Sequence, residues 1–332
     1  YKAITRSLLI SCAGDVRGQV AGNMKWKSFF LVAVTVIILG LTAVYVYKNI
    51  DAFKRIIDIS ADQVCVFLIL QLISVTLNTF MLLVLLPVYG VRVSFSDGLA
   101  YSTLNTFLNY ISIKGGIVAK GYFMKKIHKF SYTDFAVSMG AMVLMHFMVG
   151  GLIGIGVLIL IYIIQGNTNI YLFLAFSVVT AIVICFIKLP VVHNKFGGNG
   201  NYFLKKLYEL WNSWKLFSKN RNVMCVLSFL VFMNFVVYAF RLKYGFHVIY
   251  NDVPFLSCLL ISIMGVLSTF AALTPASLGI REFVVGTGYS LIDGDMLQAV
   301  VVTSLDRAVS MIQVFGFGII SCVYLLKRSG QQ

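Results

Sequence analysis

Residues 274–282, TPASLGIRE, interrupt a long apolar region of the chain with a proline, a glycine and an adjacent acid–base pair. A second such pair, Asp306 and Arg307, lies inside the last long apolar run, residues 296–326. An ionised side chain at the centre of a bilayer costs at least ~2.5 kcal/mol, so such residues usually face a cavity, a partner or a substrate. Broken apolar segments that carry charge also mark binding sites in transporters. We therefore expect the functional residues of this chain to lie at these two pairs.

The composition is that of a polytopic membrane protein. Of the 332 residues, 59% are hydrophobic and only 12% are charged, with a mean hydropathy of +0.90. Soluble domains carry about 25% charged residues. The net charge of +15 is concentrated between the apolar segments, as the positive-inside rule predicts. We therefore expect a membrane partner and no nucleic-acid partner.

Six apolar runs reach or approach the ~20 residues that cross the hydrocarbon core of a bilayer. They cover about 29–48, 64–86, 134–164, 171–189, 223–243 and 296–326. Two further apolar stretches, 97–113 and 254–292, are interrupted by polar residues, glycine or proline. Both would enter and return as re-entrant hairpins, one from each face, if the basic stretches 1–28, 114–129 and 188–221 share one side of the membrane. Irregular backbone at membrane depth is tolerated where protein or a wet cavity surrounds it.

The predicted fold class is an all-α polytopic membrane protein with six full transmembrane helices plus two re-entrant hairpins. The alternative is eight full crossings, with 254–273 and 276–292 both spanning. A basic N-terminal segment, 1–28, precedes a single membrane domain, 29–328, which contains a cytoplasmic amphipathic segment at 200–221. Both termini are expected on the cytoplasmic side of the plasma membrane.

A weak internal repeat relates the two hairpins. Each glycine-containing break is followed by a short apolar piece, a polar link and a long helix. The spacing from Gly116 to Ala136 also equals that from Gly279 to Ala299. An inverted repeat of this kind frames the sites of alternating-access transporters.

Four charged residues form the first group of candidate substrate-binding residues. A guanidinium group binds phosphate or carboxylate through two parallel hydrogen bonds, which favours Arg281 as the anion-binding residue. Glu282 would orient or neutralise it. Adjacent positions on a helix point about 100° apart, so Asp306 is expected to pair with Arg281, and Arg307 with Glu282, across a shared cavity. A purely structural lock between helices is equally consistent with the sequence.

The breaks themselves supply four more candidates: Lys114, Gly116, Lys120 and Gly279. Glycine lets the backbone approach a ligand closely, and N–H groups freed at a break add anion donors. The alternative for the lysines is a basic loop that contacts anionic lipid headgroups. No cysteine or histidine cluster has metal-ligand spacing, so we expect no cofactor. Four asparagines inside apolar segments are interpreted as hydrogen-bonding residues between helices: Asn78, Asn105, Asn109 and Asn234.

Residues 273–282, LTPASLGIRE, with Ala299 and Arg307 downstream, resemble the flippase-like family, which is the transmembrane region of lysylphosphatidylglycerol synthases. Residues 114–125, KGGIVAKGYFMK, resemble the first signature of that family, in which an arginine usually stands where this chain has Lys120. The resemblance covers residues 25–328. It implies translocation between leaflets of an anionic lipid, either an aminoacyl phospholipid or a polyisoprenyl-phosphate-linked glycan.

The resemblance also implies partners. Because the resemblance covers only the membrane region of such synthases, we expect a separate glycosyltransferase or aminoacyl-lipid synthase to make the lipid. We expect this chain not to be an enzyme. The rival hypotheses are an integral-membrane transferase that acts on a lipid phosphate, and a non-transporting partner of a glycan- or lipid-assembly enzyme.

Overall fold

The computed structural model describes residues 24–166, 168–188, 214, 217–250, 252–271, 274–292 and 294–330, with side chains described from residue 35 onward. We number eleven α-helices within these residues, and no strand occurs among them. They are α1 Met24–Lys48, α2 Ile50–Lys54, α3 Ala61–Leu85, α4 Phe95–Ile111, α5 Gly115–His128, α6 Tyr132–Gln165, α7 Ile170–Lys188, α8 Arg221–Ile249, α9 Phe255–Ser268, α10 Ile280–Ser290 and α11 Met296–Gly330. The predicted segments 1–28 and 200–221 lie largely outside the described residues.

Five helices in the described part of the chain are long and apolar enough to cross a membrane. They are α3 with its 3₁₀ extension to Tyr89, α6, α7, α8 and α11. The sixth predicted span, 29–48, falls in α1, which has 25 residues, or about 37 Å at the rise of an α-helix. Helix α1 belongs to a compact unit separate from the one that begins at Asn49. The prediction of an all-α polytopic membrane protein is confirmed.

Four short helices form two hairpins. Helices α4 and α5 pack against each other, as do α9 and α10. The four helices have 17, 14, 14 and 11 residues, which corresponds to about 17 to 26 Å. Each is shorter than the ~30 Å hydrocarbon core. These lengths favour re-entrant hairpins over the alternative of eight full crossings.

The two hairpins approach from opposite ends of α11. At the start of α4, Asp97 accepts a hydrogen bond of 2.6 Å from Arg328 near the end of α11. His128, at the end of α5, lies 3.8 Å from the same carboxylate. The second hairpin lies at the other end of α11, where Gly286 of α10 packs beside Met296. Because α11 has 35 residues, or about 52 Å, the open ends of the hairpins belong to opposite faces of the protein.

The repeat indicated by the sequence extends to eight helices. The series α3 to α6 has the order long, short, short and long, and the series α8 to α11 repeats it. Helix α3 packs on α8, while α4 packs on α11 and α9 packs on α6. Each hairpin therefore packs against the last long helix of the other half, as expected when an approximate two-fold axis relates the two halves. From α3 onward, the described residues contain three crossing helices before α8, namely α3, α6 and α7. The half that begins at α8 therefore runs opposite to the half that begins at α3, as an inverted repeat requires.

A glycine closes the first hairpin. A Cβ atom at Gly116 would lie 1.8 Å from the carbonyl oxygen of Asn105, so only a residue without a side chain lets the start of α5 touch α4. The N–H group of Gly116 donates to the side chain of Asn109 at 3.0 Å. The break between the two helices is therefore set by backbone contact as well as by apolar packing.

Replacement of Gly116 by Ala is expected to lower stability by about 1–3 kcal/mol, because the backbone of α4 must shift to admit the methyl group. The measurement is thermal unfolding of the detergent-solubilised protein. The matched control is Gly156→Ala in α6, where no atom lies within 4 Å of the added Cβ. That control is expected to be neutral or stabilising, since alanine favours helix. Equal melting temperatures for the two variants would contradict the close contact.

Candidate functional site

A partly open cavity of about 540 Å³ lies between the two halves of the repeat. The tip of the first hairpin contributes Asn109 and Lys114 to its wall, and the tip of the second contributes Thr274, Ala276 and Arg281. The middle parts of α3 and α8 complete it. The 3₁₀ segment at the second tip also contacts α4 of the first hairpin. Both breaks in the sequence therefore meet at one cavity inside the membrane domain.

The second tip has an unusual backbone. Ala276 and Ser277 have φ angles of 49° and 56°, a left-handed conformation that residues with a Cβ rarely adopt. Neighbouring side chains hold it in place. Arg307 Nη1 donates to the carbonyl oxygen of Ala276 at 3.0 Å, and Ser277 Oγ donates to the carbonyl oxygen of Thr269 at 3.2 Å. Strained backbone of this kind is found at sites of ligand binding and switching.

Two buried ion-pair groups lie behind the tip. Asp306, which is fully buried, lies 2.5 Å from Arg241 Nη2 and 2.7 Å from Arg281 Nη2. Arg307 Nε lies 2.6 Å from Glu282 Oε1. Both pairings expected from the sequence, Asp306 with Arg281 and Arg307 with Glu282, are present. Three arginines face two carboxylates, so this cluster carries one positive charge in excess.

Arg281 presents its guanidinium group to the cavity. Its Nε donates to the hydroxyl of Tyr238 at 2.8 Å, and its Nη2 donates to Asp306 at 2.7 Å. The guanidinium also lies 4.4 Å above the ring centre of Tyr238. Nη1 has no hydrogen-bond partner among the described residues, and Arg281 forms part of the cavity wall. A fixed, charged donor is therefore available to an anion.

Arg241 is a second cavity arginine, which the sequence reasoning missed. It is 6% exposed and donates to Ser310 Oγ at 2.8 Å. It stands near the end of the predicted span 223–243, where an arginine resembles a residue that flanks a membrane helix. The available signal was spacing, because Asn234, Tyr238 and Arg241 fall on one face of an otherwise apolar helix. All three line the cavity.

Five of the six predicted charged residues divide into two sets. Arg281 and Lys114 line the cavity, and Lys114 is exposed, with a left-handed φ of 60° at the start of α5. Glu282, Asp306 and Arg307 lie behind the wall as partners of its arginines. Within the described residues, no group of three His, Cys, Asp or Glu side chains could hold a metal ion.

The structure places the other three candidates away from the cavity wall. The N–H group of Gly279 donates to Glu282 at 2.8 Å, and that of Gly116 donates to Asn109 at 3.0 Å. Both groups, which we expected to face an anion, are engaged within the protein because the breaks need their own caps. Lys120 is 7% exposed and has no ion-pair partner among the described residues.

The four asparagines all line the cavity. Within the described residues, only Asn109 of the four joins two helices, through its bond to the N–H group of Gly116 at the start of α5. Asn78 Nδ2 donates to the carbonyl oxygen of Ser74 in its own helix. The interpretation of these residues as links between helices therefore holds for Asn109. What all four asparagines share is a position on the cavity wall.

A comparison with protein families covers the part of the chain that forms this architecture. A family model described as the lysylphosphatidylglycerol synthase TM region matches residues 26–318, a range that includes both hairpins and the whole cavity wall. No curated protein and no solved structure matches at a significant level. Family and fold together identify a membrane protein with a lipid-related function. The chain belongs to the lysylphosphatidylglycerol synthase TM region family.

Proposed function

We propose that the protein binds the phosphate of an anionic lipid in this cavity and moves the headgroup between leaflets. The observation that carries the proposal is the cavity between the two hairpin tips, lined by Arg241, Arg281 and Lys114. The lipid would be an aminoacyl phospholipid or a polyisoprenyl-phosphate-linked glycan. A phosphate at the cavity would meet the free Nη1 donor of Arg281 and the excess positive charge of the cluster.

The carboxylate of Asp306 limits how tightly such a phosphate is held. It already engages Arg241 and Arg281, so an entering anion shares these arginines instead of capturing them alone. Transport requires binding that is favourable enough for entry and weak enough for release. We infer that Asp306 keeps the two arginines oriented and only partly available.

The two hairpins define the path of the lipid headgroup across the membrane. Two breaks that enter from opposite faces and meet at the cavity support an alternating-access mechanism, in which each tip closes the path to one leaflet. We propose that the face at which α11 ends is cytoplasmic, because Lys327 and Arg328 lie there with the basic residues at the end of α5. The membrane would be the plasma membrane.

We also propose that this chain is a translocator and not an enzyme, and that a separate glycosyltransferase or aminoacyl-lipid synthase supplies its lipid. The test is a leaflet-resolved lipid profile of cells that lack the protein. We expect one lipid-phosphate species to accumulate in the inner leaflet and to be cleared when the native chain is restored. A fall in total synthesis of that lipid, with no leaflet imbalance, would favour the transferase or the non-transporting partner.

A further inference from the structure

Five carboxamide side chains lie in the polar part of the cavity wall. Three of the five neither donate to nor accept from any described residue, and in Gln71 the buried Oε1 atom lacks a partner. A buried polar atom without a partner costs about 1–3 kcal/mol, so the unpartnered Gln71 Oε1, beside two asparagines that bond to no described residue, points to a ligand with hydrogen-bond donors. The five are Gln71 and Asn78 of α3, Asn105 and Asn109 of α4, and Asn234 of α8.

The same wall lacks an acidic side chain. None of the described residues that line the cavity is Asp or Glu. The two nearby carboxylates, Asp306 and Glu282, lie behind it and are paired with arginines. An aminoacyl headgroup carries an ammonium group, which would meet Arg241, Arg281 or Lys114 without a compensating anion. Like charges placed together disfavour such a ligand.

A carboxamide is suited to a different headgroup, because it donates and accepts hydrogen bonds at the same time, as a sugar hydroxyl does. The cavity volume of about 540 Å³ also falls in the ~300–1,000 Å³ range of small-molecule pockets. It therefore has room for more than a phosphate. Resting on the lipid-phosphate binding proposed above, we propose that the headgroup is a neutral, polyhydroxylated sugar linked through phosphate to the lipid.

Purified full-length protein in phosphatidylcholine nanodiscs tests this with matched probes. Polyisoprenyl phosphate that carries one hexose is expected to bind about tenfold more tightly than polyisoprenyl phosphate alone, since a site with unpaired amides discriminates against a ligand without hydroxyls. Lysylphosphatidylglycerol is expected to bind at least about tenfold more weakly than phosphatidylglycerol. Hexose 1-phosphate without lipid is expected to bind far more weakly than the hexosyl lipid, and equal affinity would overturn the lipid part of the proposal.

The variants Asn105→Leu and Asn234→Leu identify the groups responsible. Neither asparagine bonds to a described residue, so a leucine of similar size is expected to be accommodated. In each variant the tenfold preference for the hexosyl lipid should fall to about twofold or less. Thr76→Val is the control, because Thr76 donates only to Leu72 of its own helix and is not part of the cavity wall.

The outcomes separate the two proposals. Equal binding of the hexosyl and bare lipids, or equal binding of lysylphosphatidylglycerol and phosphatidylglycerol, would overturn the sugar headgroup while leaving phosphate binding intact. If neither polyisoprenyl phosphate nor phosphatidylglycerol binds, or if Arg281→Ala binds them as the native chain does, the proposed function falls as well.

Discussion

Arg281→Ala is expected to abolish lipid translocation and to weaken binding of polyisoprenyl phosphate by about 100-fold, since hydrogen bonds to charged groups contribute about 1.5–3 kcal/mol. The variant removes the free Nη1 donor from the cavity wall and cancels the excess positive charge of the cluster. Translocation is measured as the rate at which a fluorescent lipid phosphate becomes accessible in the opposite leaflet of proteoliposomes. Binding is measured separately in nanodiscs.

The protein is expected to remain folded, because Asp306 keeps Arg241 as a partner when Arg281 is lost. Size-exclusion elution and the melting temperature check this directly. Arg281→Lys retains the charge but cannot bridge Tyr238 and Asp306 together, so an intermediate rate is expected. Arg92→Ala, at an exposed position outside the cavity wall, should behave as the native chain. Unchanged translocation by Arg281→Ala would refute the proposed role of the cavity.

The features that the sequence predicted correctly share one cause, which is the cost of charge and broken backbone in hydrocarbon. Because an ionised group at membrane depth needs a partner, the pairs Asp306–Arg281 and Arg307–Glu282 could be inferred without coordinates. The hairpins followed from the same reasoning, since glycine and proline interrupt apolar segments and the basic residues must collect on one side. Their lengths and packing agree with that inference.

The remaining features depend on how the helices rotate and pack, which local sequence leaves open. Arg241 stands near the end of its apolar run, where an arginine ordinarily reaches toward the interface; packing of α8 against α3 and α11 encloses it instead. Gly116 and Gly279 resemble ligand-approach residues, but their N–H groups are used to cap their own breaks. Asn234 looked like a link between helices and lines the cavity.

Asp306→Asn is expected to reduce the free energy of unfolding by about 3–5 kcal/mol, because loss of one partner from a buried ion pair leaves uncompensated charge. Two arginines, Arg241 and Arg281, would then lie together without a carboxylate, since Glu282 is held by Arg307. The measurement is equilibrium unfolding in mixed detergent micelles. A change below about 1 kcal/mol would show that water or lipid already compensates these arginines.

Adding Arg241→Met to Asp306→Asn is expected to restore about 1–3 kcal/mol, because it removes one of the two uncompensated charges. Adding Arg92→Ala instead should restore nothing. In the stabilised double variant, Arg281 no longer shares its guanidinium with a carboxylate, so phosphate lipid should bind more tightly while translocation slows. Faster translocation would contradict a role for Asp306 in release. Tighter binding with slower movement would separate two contributions of this carboxylate, one to stability and one to the release that transport requires.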